Sequence, residues 1–201
     1  MTTPSRKQKI SLLQVLIPVA AIIVLAISST LLLRERLNDE HYEGDGHTHE
    51  GQEISVGNPF PDLKFTRLDG STTRLSEFKG KLLVLNLWAT WCEACMVEMP
   101  SLQKLHEQLS KDGIEVWALS LDESYQSEVP PVVKKLGLTF EIFSDPNQQI
   151  GETLQTEMIP VTYIIEGSTR KLLAVEEGEK DWIDPGMVKK LRAYAGLDTA
   201  R

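Results

Sequence analysis

The longest apolar run in the chain comes first. Ile10 to Leu33, "ISLLQVLIPVAAIIVLAISSTLLL", is 24 residues without a charge. At about 1.5 Å of rise per residue a helix of that length crosses a hydrocarbon core of roughly 30 Å, so residues 10–33 are expected to form a transmembrane anchor. The competing reading is a cleaved signal peptide, since Arg6, Lys7 and Lys9 precede the run. Such a peptide would have an apolar segment of about 7 to 15 residues ending in an A-x-A-like site, and neither feature is present. Arg34 and Arg36 follow the run, so the positive-inside rule favours a cytoplasmic N-terminus, residues 1–9, by a modest margin. Next comes "NDEHYEGDGHTHEGQE", residues 38–53, polar and glycine-containing with almost no apolar periodicity. Residues 34–53 are expected to be a flexible, acidic, histidine-containing tether.

From about Ile54 the pattern changes to short apolar runs alternating with helical stripes. "DLKFTRLDGSTTRL" (62–75) places a Leu-Asp-Gly turn between two strand-like pieces, which predicts a hairpin. "KLLVLNLW" (81–88) and "IEVWALSL" (114–121) read as strands buried on both faces. Between them Leu102, Leu105 and Leu109 form one stripe of a helix over about 93–111. Pro130 and Pro131 suit the first turn of another helix running to Leu136 and ended by Gly137. "FEIF" predicts a further strand, residues near 147–155 a short helix, and "VTYII" with "KLLAV" a strand pair across "EGSTR". Asp184 as N-cap, Pro185 at the first helical position and Gly196 past the end bracket the last helix. The expected fold class is α/β, with a central mixed β-sheet flanked by helices over residues 54–201 and an N-terminal transmembrane helix.

Composition adds one constraint. With 41% hydrophobic and 25% charged residues the chain is ordinary globular material. Residues 1–36 hold five Lys/Arg and one acid; removing them from the totals of 21 and 29 leaves 16 basic and 28 acidic residues, a net charge of −12. A surface that acidic repels nucleic acid, so no nucleic-acid partner is expected.

The chemistry sits in "WATWCEACMVEMP", residues 88–100, which holds both cysteines. As a staple, a Cys92–Cys95 bridge closes a loop so short that loop entropy is worth only about 2 kcal/mol. As a structural zinc site the pair lacks a second pair at ligand spacing. The strand ending near Trp88 places Cys92 at the mouth of the next helix, where unpaired N–H groups and the helix dipole favour a thiolate. Cys95 lies one turn deeper on the same side. The pair therefore reads as a redox couple, with Cys92 the nucleophile and Cys95 the resolving thiol.

Glu98 lies at −4, −7 and −11 from Leu102, Leu105 and Leu109 and three residues after Cys95, so it falls on the apolar stripe. Partial burial would raise its pKa and let it carry a proton to or from the sulfurs; the alternative has Met99 filling the stripe and Glu98 leaning into solvent. Glu123 follows the second buried strand, at the edge where sites in α/β sheets open, and Asp122 and Glu123 read equally well as loop solvation. Trp88 and Trp91 read as core and rim packing, and His106 as a helix-surface residue. His41, His47 and His49 of the tether read as solvated linker, with weak metal binding as the alternative.

"LNLWATWCEACMVEMPSL" followed by "IPVTYII" resembles the thioredoxin superfamily, and within it the membrane-anchored TlpA/ResA/CcmG-like branch. The resemblance covers about residues 54–195. It implies a thioredoxin fold with an extra αβ insert at about 121–143. It implies a cis bond before Pro160, with Ile159 beside the disulfide offering backbone hydrogen bonds to a substrate chain and Trp91 of the W-C-x-x-C motif on the substrate side. It implies active-site acids at Glu98 and Glu123. Where ordinary thioredoxin has a buried aspartate this chain has Asn86, and Glu93-Ala94 stand between the cysteines instead of Gly-Pro. The charge of Glu93 disfavours the Cys92 thiolate and makes the couple more reducing.

The resulting expectation is a thiol:disulfide oxidoreductase with no cofactor beyond its Cys92–Cys95 disulfide and no metal. It is tethered to a bacterial cytoplasmic membrane by residues 10–33, with its domain on the periplasmic or extracytoplasmic side. Its expected partners are disulfide-containing exported proteins, by resemblance apocytochrome c during cytochrome c biogenesis, and a membrane electron donor that re-reduces it. The alternative is a copper- or metal-delivery module using the cysteine pair and the tether, which predicts stoichiometric metal binding lost on deleting residues 41–49. A peroxidase of the same superfamily would need rapid peroxide consumption by Cys92, against which the W-C-x-x-C setting argues.

Overall fold

The computed structural model describes residues 54–197. The expected anchor at 10–33, the segment 1–9 and the tether at 34–53 lie outside the described residues. Among the described residues no helix is long and apolar enough to cross a membrane.

The 62–75 stretch forms the expected hairpin, β1 (Lys64–Arg67) and β2 (Thr72–Arg74), with Thr66 opposite Thr72. The two long apolar runs are β3 (Leu82–Trp88) and β4 (Ile114–Ser120), joined by α1 (Glu93–Leu109). Then follow α2 (Tyr125–Leu136), β5 (Glu141–Ser144), α3 (Gln149–Thr153), β6 (Val161–Glu166), β7 (Leu172–Glu177) and α4 (Pro185–Tyr194). The seven strands make one mixed sheet in the order β2-β1-β5-β4-β3-β6-β7. Strands β3, β4 and β5 are parallel, as helical crossovers require, and β6 runs antiparallel to β3. This is the expected α/β sheet with helices.

Burial of β3 on both faces explains its unbroken apolarity. Alternation sends Leu82, Val84 and Trp88 into one core with Met99, Leu102, Leu105 and Leu109 of α1. Leu83, Leu85 and Leu87 enter a second core with Phe65, Trp117 and Phe143. Asn86 shares the α1 side of the strand by the same alternation, so an amide is carried into the apolar layer beneath that helix, fully buried.

Helix α2 departs from expectation. It begins at Tyr125 after Ser124, whose carbonyl accepts the Ser127 and Glu128 N–H groups, so Pro130 and Pro131 lie inside it and not in its first turn. The two absent N–H groups would have served the carbonyls of Gln126 and Ser127. Both residues are exposed, which lets water serve them instead. Gly137 ends the helix in the left-handed region (φ 63°), as read from the sequence. Asp184 caps α4 by accepting the Gly186 and Met187 N–H groups, also as read. His106 is not a free surface residue: its ring packs edge-on against Phe140, and burial pushes its pKa down.

Candidate active site

The site is built where β3 ends and α1 begins. Trp88 is fully buried, and the chain then turns through Ala89, Thr90 and Trp91. Asp122, just past the end of β4, holds that turn. Its carboxylate accepts the Thr90 N–H at 3.0 and 3.1 Å, the Thr90 hydroxyl at 2.6 Å and the Ser120 hydroxyl at 2.7 Å. A buried carboxylate is tolerable only when donors replace its water, and three groups here supply them. The Leu121 N–H, donating to the Trp88 carbonyl at 2.9 Å, ties the two strand ends together.

Cys92 then takes the N-cap position of α1 with extended backbone (φ −88°, ψ 106°), and its Sγ accepts the Cys95 N–H at 3.2 Å. The two cysteines form a disulfide, with Cα atoms 5.2 Å apart. They are unequal in access: Cys92 is 8% exposed and Cys95 is sealed. Trp91, the residue before Cys92, is 70% exposed, and Met158, the residue before Ile159, is exposed as well. The Ile159–Pro160 bond is cis, and the Ile159 carbonyl oxygen lies 3.8 Å from Cys92 Sγ. Thus Cys92, Cys95, Ile159 and Pro160 are brought together, with Trp91 next in the chain. Glu93 is exposed in the first turn of α1 and Ala94 is half-buried.

Glu98 is 1% exposed, so the reading that turned it to solvent is set aside. The Asn86 side-chain amide donates to its Oε1 at 2.7 Å, and the Lys180 backbone N–H and the Trp182 indole N–H donate to Oε2 at 3.1 and 3.2 Å. Burial pushes the Glu98 carboxyl above the usual range, and these three donors pull it part of the way back. Asn86 also donates to the Thr162 hydroxyl at 2.9 Å, and its Oδ1 has no partner among the described residues. A primary amide suits this place. It donates to the ionised acid and, turned over, accepts from the protonated one, and in neither case does it add a charge of its own to the buried layer.

Glu123 sits apart from this arrangement, exposed on the loop after β4, and the buried acid there is its neighbour Asp122. The loop-solvation reading of Asp122 is therefore wrong. Spacing held the clue, since Ser120 and Asp122 fall on one side of an extended chain. Nothing in the sequence pointed to Trp182, which reaches Glu98 across 84 positions. Among the described residues no three His, Cys, Asp or Glu side chains gather as metal ligands.

A mixed sheet whose central strand delivers a C-x-x-C disulfide to the cap of the following helix defines a thioredoxin-like protein. Residues 56–170 match the AhpC/TSA family, and the chain belongs to it. It is similar to thiol-disulfide oxidoreductase ResA of Geobacillus kaustophilus, 35% identical over 113 residues, which are 56% of this chain and 64% of that protein. It is also similar to ResA of Geobacillus thermodenitrificans, 32% identical over 122 residues, 60% of this chain and 70% of the other. Among solved structures, a Chlorobium tepidum protein described as the thiol:disulfide interchange protein DsbE superposes with a TM-score of 0.65 at 21% identity. The match covers 71% of this chain and 99% of that one. At that identity it speaks for the fold alone. The resemblance drawn from the cysteine motif and "IPVTYII" is borne out.

Proposed function

We propose that this chain is a thiol:disulfide oxidoreductase that reduces disulfides in exported proteins. The observation that carries the reading is the Cys92–Cys95 disulfide, with Cys92 as helix cap at the surface and Cys95 sealed behind it. In the reduced protein the α1 N-terminus and the Cys95 N–H favour a thiolate at Cys92. That thiolate attacks one sulfur of a substrate disulfide, forming a mixed disulfide and expelling the other substrate sulfur as thiolate. The Cys95 thiol then gives its proton to the Glu98 carboxylate and attacks Cys92 Sγ, which releases the second substrate thiolate. Two electrons pass to the substrate and the Cys92–Cys95 disulfide remains, to be reduced again by a thiol donor. Ile159, Pro160, Trp91 and the apolar rim of Met158 supply a bed for the substrate chain. Glu93, exposed in the first turn of α1 next to Cys92, repels an acidic chain and sets the charge near that sulfur.

The test is a trap. Cys95→Ala leaves the first attack intact and removes the second, so the reduced variant should accumulate a mixed disulfide with a disulfide-containing peptide. Mass spectrometry would read a stable one-to-one adduct on Cys92. Turnover without any adduct would exclude this order of attack.

The 24 uncharged residues from Ile10 to Leu33, after Arg6, Lys7 and Lys9, support a single-pass anchor with the domain outside the cytoplasm. On this reading the partners are the membrane, exported substrates such as apocytochrome c, and a membrane electron donor. In spheroplasts, external protease is expected to digest residues 60–201. A protected domain would reverse the topology.

A further inference from the structure

The loop between β7 and α4 lies far along the chain from the cysteines, yet it is fastened to the active-site helix at two successive turns. The Trp182 backbone N–H donates to Ser101 Oγ at 3.1 Å, and that hydroxyl is 2.8 Å from the Glu98 carbonyl and 3.4 Å from the Lys180 carbonyl. One turn nearer the disulfide, Lys180 N–H and Trp182 Nε1–H both point at Glu98 Oε2. The Trp182 side chain is fully buried in the same core as Cys95 and Met99. An indole nitrogen can only donate, so its partner here is held as an acceptor.

We propose that Trp182 is a positioning residue for the proton step: clamped by Ser101, its indole N–H holds the Glu98 carboxyl in place as an acceptor and sets the pH at which Cys95 is deprotonated. This rests on the reading of Glu98 as the base for Cys95. The donation stabilises the ionised carboxylate against the cost of burial, so its loss moves Glu98 further up. The Lys180 backbone N–H shares Oε2 with the indole and remains when the indole is removed, so the indole supplies one of two donations to that oxygen. Asn86 approaches the opposite oxygen from β3, and Glu179 adds a repelling charge from the same loop. The Lys180 ammonium is turned away to the Glu177 carbonyl, so no cation neutralises the acid from this loop. Beyond these stand the two sulfurs themselves, Cys95 one helical turn before Glu98.

The experiment uses the reduced full chain in detergent micelles. In the wild type, the Trp182 indole proton resonance is expected to move through the same midpoint as the Glu98 carboxyl carbon, identified by its loss in Glu98→Gln. A flat indole resonance while Glu98 titrates would overturn the proposal, and this reading needs no variant to fold. In Trp182→Phe the Glu98 midpoint is expected to rise by about one pH unit, the scale of one hydrogen bond to a charged group. The pH profile of the resolving step should rise with it. In the Glu98→Gln background Trp182→Phe should leave that profile where it was. A lower Tm with an unmoved midpoint would make Trp182 mere packing and end the proposal. Failure of the wild type to exchange disulfides at any pH would instead sink the functional reading, and the two resonances would still decide the clamp.

Discussion

Cys92→Ala is expected to lower the rate of disulfide reduction by the pre-reduced protein to background, a loss on the order of 10⁴-fold or more, since no other group can form the mixed disulfide. Cys95 cannot take over the attack. It is sealed inside the protein, whereas Cys92 retains 8% of its surface and is the sulfur beside the Ile159 carbonyl. Stability should change far less than activity, because the four-residue loop closed by the bridge contributes only about 2 kcal/mol by loop entropy. The two measurements to compare are therefore the exchange rate with a disulfide-containing peptide and the denaturation midpoint under oxidising conditions, where only the wild type holds the bridge. Residual exchange within tenfold of wild type would mean that the nucleophile has been misassigned.

Glu98→Gln has the second largest expected effect, about 10²-fold on the resolving step near neutral pH, within the usual range for general acid–base catalysis. Wild-type resolution should fall as pH drops through the raised Glu98 pKa, because the protonated acid cannot accept the Cys95 proton. In the variant that inflection should vanish and the rate should climb with hydroxide. Stability moves the other way. A carboxyl whose folded pKa is raised holds its proton more tightly in the native state than in the unfolded chain. Its contribution is thus fully present below the ordinary carboxylate pKa and is lost as pH rises through the folded value. Glutamine carries no charge to bury, and its amide can donate to Asn86 Oδ1, which lacks a partner among the described residues. At pH 8 the variant should be at least as stable as the wild type while reacting slowly. Rate and stability measured on one preparation across pH 5–9 check both halves, and an unchanged inflection would remove Glu98 from the proton path.

The chemistry of the cysteine pair was legible because all of it is local. An apolar run that must be a buried strand, a stripe that must be a helix, and the four residues at their junction suffice to place Cys92 as a cap and Cys95 beneath it. Glu98 was legible for the same reason, as one position of a periodic stripe. The start of α2 was misread because prolines favour a first turn, while the exposed carbonyls of Gln126 and Ser127 let water serve in place of the missing donors. Asp122 and Glu123 show where local reading runs out. They are neighbours of like charge, and which of them turns inward depended on Thr90 and Ser120 presenting donors from other parts of the fold.

By itself the sequence determined the α/β pattern, the strand-to-helix junction, which cysteine stands at the helix mouth and that an acid falls at a stripe position, because each follows from periodicity within a turn or two of chain. Only the tertiary structure decided what holds that acid and that junction in place. Asn86, Trp182 and Asp122 act across 12, 84 and 32 positions. A hydrogen bond is satisfied by whatever donor folding brings within reach, and distance along the chain leaves no periodic trace of it.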